Sequence, residues 1–98
     1  MNDILILKKN TYSVDENGND RPTQVCRSVF AEEMSVGQGE FFNGFANGFR
    51  PSCKFKMWRN EYDGETVCEY QGKEMQIYRT FAKNDFIEVY CQEVTAND

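Results

Sequence analysis

The 98-residue chain reads as all-β: a small antiparallel β-barrel of about six strands, with one short helix between strands 2 and 3. Three observations predict this. Apolar and polar side chains alternate along most of the chain, most clearly where Cys53, Phe55 and Met57 interleave with Lys54, Lys56 and Trp58. Turn-forming groups recur between the alternating runs: Asp15-Glu16-Asn17-Gly18, Asp63-Gly64, Gln71-Gly72 and Asn84-Asp85. A short chain with this many strands removes its exposed edges by curling into a barrel or sandwich. Residues 1–98 form one domain, without repeats or low-complexity tracts.

The first strand spans Asp3 to Val14, where β-branched and aromatic residues are frequent. A mobile polar loop over 15–22 follows, because its Asn and Gly residues tolerate positive φ and nothing in it is apolar enough to bury; Pro22 helps to end it. The second strand, Thr23 to Ser35, completes a long hairpin. The segment from Gly37 to Pro51 breaks the alternation. Phe41 and Phe45, like Phe42 and Ala46, are four apart and fall on one side of a short helix. Glu40 favours its first turn, Gly48 is placed to take the left-handed conformation after its last turn, and Pro51 stops it. Gly44 in its middle costs about 1 kcal/mol relative to Ala, so packing of the phenylalanines has to hold the helix.

From Ser52 onward the pattern is all strand. Asp63-Gly64 signals a hairpin after the third strand. Thr66–Tyr70 and Glu74–Ala82 are the next two strands, the latter with Met75, Ile77 and Phe81 on one side. The last strand is Phe86 to Val94, with Ile87, Val89 and Cys91 inward; residues 95–98 are a frayed tail.

A domain of this size buries roughly 60–70% of its unfolded surface, which leaves room for one modest core but no deep internal active site. Eight Phe, five Tyr and one Trp supply much of that burial. The net charge of −5 disfavours non-specific DNA binding, which draws its affinity from Lys and Arg. Histidine is absent, so a serine or cysteine nucleophile would lack its usual general base, and no catalytic role is expected. Cys26, Cys53, Cys68 and Cys91 are widely spread without a CxxC pair, which argues against zinc; they read as four reduced core thiols. No cofactor or metal is expected. No apolar run approaches the ~20 residues of a membrane span.

Several residues invite a functional reading. Glu61, Asp63, Glu65, Glu69 and Glu74 make the third-to-fifth-strand region acidic, either a solvated hairpin face or a subunit or channel surface. Trp58 beside Lys54, Lys56 and Arg59 suggests an outward subunit contact, with a single-stranded nucleic-acid platform as the alternative. Phe41, Phe45 and Phe49 are candidates for core packing and a neighbour contact, with Arg50 at the rim. Arg79, expected on the Met75–Ile77–Phe81 face, needs a carboxylate partner, for which Glu88 on the adjacent strand is the candidate.

Taken in series, the runs Arg27-Ser28-Val29-Phe30-Ala31, Glu40-Phe41-Phe42 and Gly48-Phe49-Arg50-Pro51 carry a further signal. With Asn60-Glu61-Tyr62-Asp63-Gly64-Glu65, Glu69-Tyr70-Gln71-Gly72-Lys73, Ile77-Tyr78-Arg79-Thr80-Phe81 and Asp85-Phe86-Ile87-Glu88-Val89, the order and spacing resemble the head–tail adaptor and head-closure (stopper-type, head–tail joining) proteins of tailed bacteriophages. The resemblance covers roughly residues 25–93. It implies a small β-barrel with a short helix, a virion protein at the head–tail interface that is assembled in the host cytoplasm. Subunits would form a ring below the portal, contact the portal or adaptor above and a tail completion or tail tube protein below, and retain packaged double-stranded DNA. By position, Asp15, Glu16, Asn17, Gly18, Asn19, Asp20 and Arg21 would face the channel, where an acidic chain lets DNA pass without sticking.

Overall fold

The computed structural model describes residues 2–93, apart from the side chain of Phe41. The expected tail at 95–98 and the end of the last strand at Val94 lie outside the described residues. Six strands close into an antiparallel barrel: β1 (Asp3–Val14), β2 (Asp20–Met34), β3 (Pro51–Trp58), β4 (Val67–Tyr70), β5 (Lys73–Lys83) and β6 (Phe86–Glu93). Their order around the barrel is β1-β2-β3-β6-β5-β4, with β4 returning to β1. A helix, α1 (Gln38–Ala46), joins β2 to β3.

Alternation builds the core. Leu5 and Leu7 from β1, Val29 and Ala31 from β2, and Phe55 and Met57 from β3 point inward. Cys68, Met75, Ile77, Ile87, Val89 and Cys91 complete the buried cluster. Two short ladders close the barrel, Ile6–Lys8 against Glu69–Val67 and Glu32–Met34 against Lys56–Lys54.

The β1–β2 ladder is far longer than either seam, running unbroken from Asp3↔Ala31 to Val14↔Asp20. Beyond Lys8 on β1, its outer residues meet no other strand among the described residues, so they project as a two-stranded arm with Tyr12, Val14 and Val25 exposed. The polar loop is shorter than 15–22, because β2 already begins at Asp20. Pro22 fits within the ribbon. The bond from the Asp15 amide to the Asn19 carbonyl (2.9 Å) makes 15/19 a hydrogen-bonded pair, so Pro22, opposite Tyr12, falls in a non-bonded pair whose N–H is not required.

Helix α1 ends as its glycine predicts. Gly48 adopts φ +88, its amide donates to Phe45 O, and the Phe49 amide reaches back to Gly44 O at 2.8 Å. Gly44, costly by propensity, is required by packing: a Cβ there would lie 2.5 Å from Cγ of Pro51. The tight turn at Gln71-Gly72 has positive φ at both residues, which matches the right-handed twist of β4 and β5.

Three expectations are corrected. Asp63-Gly64 does not turn a hairpin, because β3 and β4 are not neighbours; a 3-10 turn at Arg59–Glu61 and the segment 62–66 carry the chain across the barrel end instead. Phe81 is half exposed rather than inward. The register of β5 against β6 shifts between Ile77 and Arg79, so the residues beyond Tyr78 change face. The cysteines are not all core: Cys26 is exposed on β2 and Cys53 is half-buried, while Cys68 and Cys91 are buried.

Candidate functional site

The arm's tip is organised by Asp15. Its carboxylate accepts the amides of Asn17 (2.9 Å) and Asn19 (2.8 Å) and Nε of Arg21 (3.1 Å). The Asn19 bond, with that from Arg21, holds the Asp15 carboxyl below its ordinary pKa. Gly18 takes φ +80 at the turn. Asp15, Glu16, Asn17, Gly18 and Asn19 thus form the turn, while Asp20 and Arg21 belong to β2, with Glu16 and Asp20 presented outward.

The acidic region is less of a surface than its composition suggests. Glu65 is buried, 2% exposed, and accepts Nη2 and Nε of Arg27 at 2.7 and 3.2 Å and the Asp63 amide at 2.7 Å. Arg27 also donates to Glu61 O at 2.5 Å. Burial pushes the Glu65 carboxyl up, but the bonds from Arg27 and the Asp63 amide outweigh it and leave its pKa below the usual range. Lys8 bridges Glu69 (2.9 Å) and Glu74 (3.2 Å), and Lys9 reaches Asp63 (3.2 Å). Cations of the β1–β2 hairpin therefore neutralise carboxylates on the far side of the chain. Glu65 is corrected from an interface candidate to an internal ion pair. Asp63 and Glu69 are engaged within the chain, and Glu61 stays half-exposed.

Arg79 does not pair with Glu88. The shift in β5 turns it toward α1, where it binds the Glu40 carboxylate and lies over the Tyr90 ring at 4.1 Å. Tyr78 donates to the other Glu40 oxygen at 2.8 Å and stacks on Phe49 at 4.7 Å. Burial, then the Glu40 contact, pushes the Tyr78 phenol up. Glu88 instead meets Lys54 at 3.5 Å and accepts the Tyr90 hydroxyl at 3.1 Å. Below the helix lies a cleft lined by Glu40, Asn43, Tyr78 and Arg79, whose charged groups are already paired with one another. Phe45 is 61% exposed on the outer side of α1, Phe49 is half-buried, and Arg50 is exposed.

Trp58 stacks on Phe86 at 4.5 Å, and the Lys56 ammonium sits 4.4 Å from the Phe86 centroid. Phe81 and Lys83 of β5 flank the same outer face, around a cleft of about 200 Å³. Sequence reasoning singled out Trp58 and Lys56 but missed Phe81, Lys83 and Phe86. The pairings Trp58↔Phe86 and Lys83↔Phe86 bring them together, and the shift in β5 that turns Phe81 outward has no sequence signal. Also missed is the outer face at the base of the arm, where Ile4 and Phe30 are cross-strand partners, 51% and 58% exposed.

Cys68 and Cys91 touch at 3.5 Å between sulfurs, and the Cys53 thiol points to Met75 at 3.5 Å. Contacts with Cys53 and Cys68, added to burial, keep the proton on Cys91, while the Cys91 bond lowers Cys53. Among the described residues no group of His, Cys, Asp or Glu is arranged to hold a metal ion, and no helix is long and apolar enough to cross a membrane. No model of a known protein family matches the chain, and no curated protein matches it.

Proposed function

We propose that this protein is a structural subunit of a tailed-phage virion, a head-closure or head–tail joining protein that assembles as a ring below the portal. The observation that carries the reading is the β1–β2 arm: a braced ribbon that extends beyond the barrel, with strand edges that meet no partner strand among the described residues. An isolated two-stranded ribbon gains little stability by itself, so extending one into solvent fits a role in assembly. Two further features support it. Large apolar side chains stay exposed on several faces, as expected of a protein that buries them against neighbours. The order of residues along the chain resembles that of the phage family named above.

In this reading the work is mechanical and needs neither catalysis nor a cofactor. The arm's tip, with Glu16 and Asp20 outward, faces the DNA channel and repels the phosphate backbone. The barrel contacts portal or adaptor on one side and a tail completion or tail tube protein on the other, and the exposed Phe45 side of α1 is a candidate neighbour contact.

The test shortens the arm by two rungs, deleting Tyr12-Ser13 together with their partners Arg21-Pro22. Removing one bonded and one non-bonded pair preserves the facing of every side chain and shortens the arm by about 7 Å. The variant should fold and occupy the vertex of DNA-filled, tailless capsids yet let DNA escape. Full retention of DNA would refute the channel role of the tip.

A second reading, binding of single-stranded nucleic acid, is favoured by the Trp58–Phe86 stack with Lys56 above it. Glu88, Asp85 and Glu32 lie beside that platform and oppose a phosphate backbone. Salt-dependent binding of an oligonucleotide, lost in Trp58→Ala, would establish it.

A further inference from the structure

We infer that Cys53 and Cys91 form a redox-sensitive pair, a dithiol that a peroxide converts into a disulfide stapling β3 to β6 at the mouth of the barrel. This chemistry does not depend on the phage reading. Cys53 on β3 and Cys91 on β6 are direct partners across an antiparallel ladder, so their side chains share one face, and that face is the interior. The Arg59 amide donates to Asp85 O at 2.8 Å, one rung beyond Trp58↔Phe86, which makes 57/87, 55/89 and 53/91 hydrogen-bonded pairs. Such pairs hold their Cα atoms about 5.5 Å apart, at the separation most disulfides adopt.

The other close pair is not equivalent. The sulfurs of Cys68 and Cys91 lie 3.5 Å apart, but β4 and β6 flank β5 rather than each other. Cys68 is level with Met75 of β5 and Cys91 with Ile77, so the two are also offset along the strands. Two strand spacings put their backbones roughly 9 Å apart, past the ~7 Å that a disulfide spans without backbone movement. Cys91 therefore touches two thiols and has the backbone geometry to bond one of them.

Access separates the roles of the two partners. Cys68 and Cys91 are buried, whereas Cys53 is half-buried and lines a cleft of about 270 Å³ with Glu33, Tyr70, Lys73 and Met75. The bond from the Cys91 thiol lowers the Cys53 pKa against burial and the Glu33 charge, and the Lys73 ammonium adds to the lowering. The thiolate is the nucleophile, so a peroxide entering the cleft reacts at Cys53. The Cys53 thiolate attacks one peroxide oxygen: an S–O bond forms, the O–O bond breaks, and the departing hydroxide takes a proton from solvent to become water. The Cys91 sulfur then attacks the sulfenic sulfur of Cys53. An S–S bond forms, the S–O bond breaks, and the leaving hydroxide carries off the Cys91 proton as a second water. The two thiols have given up two electrons, and one peroxide has become two waters. The dithiol persists in reducing surroundings, and the disulfide closes the 53–91 loop in oxidising ones.

The experiment treats the full chain, carrying Cys26→Ser to remove the exposed thiol, with hydrogen peroxide and maps it by mass spectrometry without reduction. The expected product is a chain lighter by two hydrogens, with a Cys53–Cys91 linked peptide and a free Cys68. Labelling of Cys53 by a maleimide should fall about tenfold or more and return with dithiothreitol. The oxidised chain should also need more urea to unfold than the reduced one, because the staple restricts the unfolded state. With Cys91→Ala added, Cys53 should stop at the sulfenic acid, which dimedone traps. The linked peptide from the chain that keeps Cys91 decides the matter if this second variant fails to fold. A Cys68–Cys91 link, a link between copies, or a Cys53 that does not react would each overturn the inference. So would Cys53 oxidised past the sulfenic acid while Cys91 stays free, or a urea midpoint no higher after oxidation.

Discussion

Replacing Arg27 by methionine removes the cation bonded to the buried Glu65 carboxylate and keeps most of the aliphatic bulk. Glu65 is 2% exposed and Arg27 about 40%, so water reaches one side of the pair and the full cost of a deeply buried bridge is not expected. Breaking a buried pair costs about 3–5 kcal/mol. Because the Asp63 amide still serves one Glu65 oxygen and solvent can enter where the guanidinium was, we expect about 2–3 kcal/mol here. For a domain of this size that corresponds to a fall in Tm of about 10–20 °C. Urea unfolding followed by tryptophan fluorescence measures it, since Trp58 is the one Trp in the chain. The pH dependence carries an independent sign. The folded-state pKa of Glu65 is depressed, so its contribution is complete above the unfolded carboxyl pKa and is lost as pH falls through the folded value. In Arg27→Met the depressing bond is gone, so the variant should lose less stability than wild type on going from neutral to acidic pH. A loss below about 0.5 kcal/mol, with an unchanged pH profile, would show that the pair does not hold the 59–66 segment to the barrel.

Three other perturbations follow from the packing. Gly44→Ala gains about 1 kcal/mol in helix propensity but drives a Cβ into the Pro51 ring, so net destabilisation of about 1–2 kcal/mol is expected in urea unfolding; a stabilised variant would mean that α1 is not seated on Pro51. Arg79→Met should destabilise more than Arg79→Met combined with Glu40→Gln, because the single change strands a carboxylate that is 13% exposed; equal losses would remove the coupling. A maleimide should label Cys26 fastest and Cys53 more slowly, and reach Cys68 and Cys91 only on unfolding; mass spectrometry that found Cys91 modified early would contradict the closed core.

The parts of this fold that were legible in the sequence are those governed by local rules. The β1 limits, the inward faces of β3 and β6, the Gly48 helix end and the turn at Gln71-Gly72 each follow from alternation or from a residue that tolerates positive φ. What was not legible depends on residues far apart in the chain. Asp63-Gly64 has the composition of a hairpin turn, but whether its flanking strands pair is decided by β5 and β6, which insert between them. The irregularity at Tyr78 cannot be seen in the even spacing of Met75, Ile77 and Phe81, yet it turns Phe81 outward and sends Arg79 to Glu40. The acidic run from Glu61 to Glu74 looked like a charged surface because its counter-ions, Lys8, Lys9 and Arg27, lie more than thirty residues away in sequence. Gly44 read as a cost because its neighbour Pro51 is supplied by the next strand.

The central claim is that this barrel is a ring-forming subunit at the vertex of a phage head, and it is tested most directly by adding the purified full chain to DNA-filled, tailless capsids and imaging them. The account predicts a ring of density at a single vertex, DNA retained, and tails able to attach afterwards. Folded protein that leaves every vertex bare, with DNA loss unchanged, would contradict it.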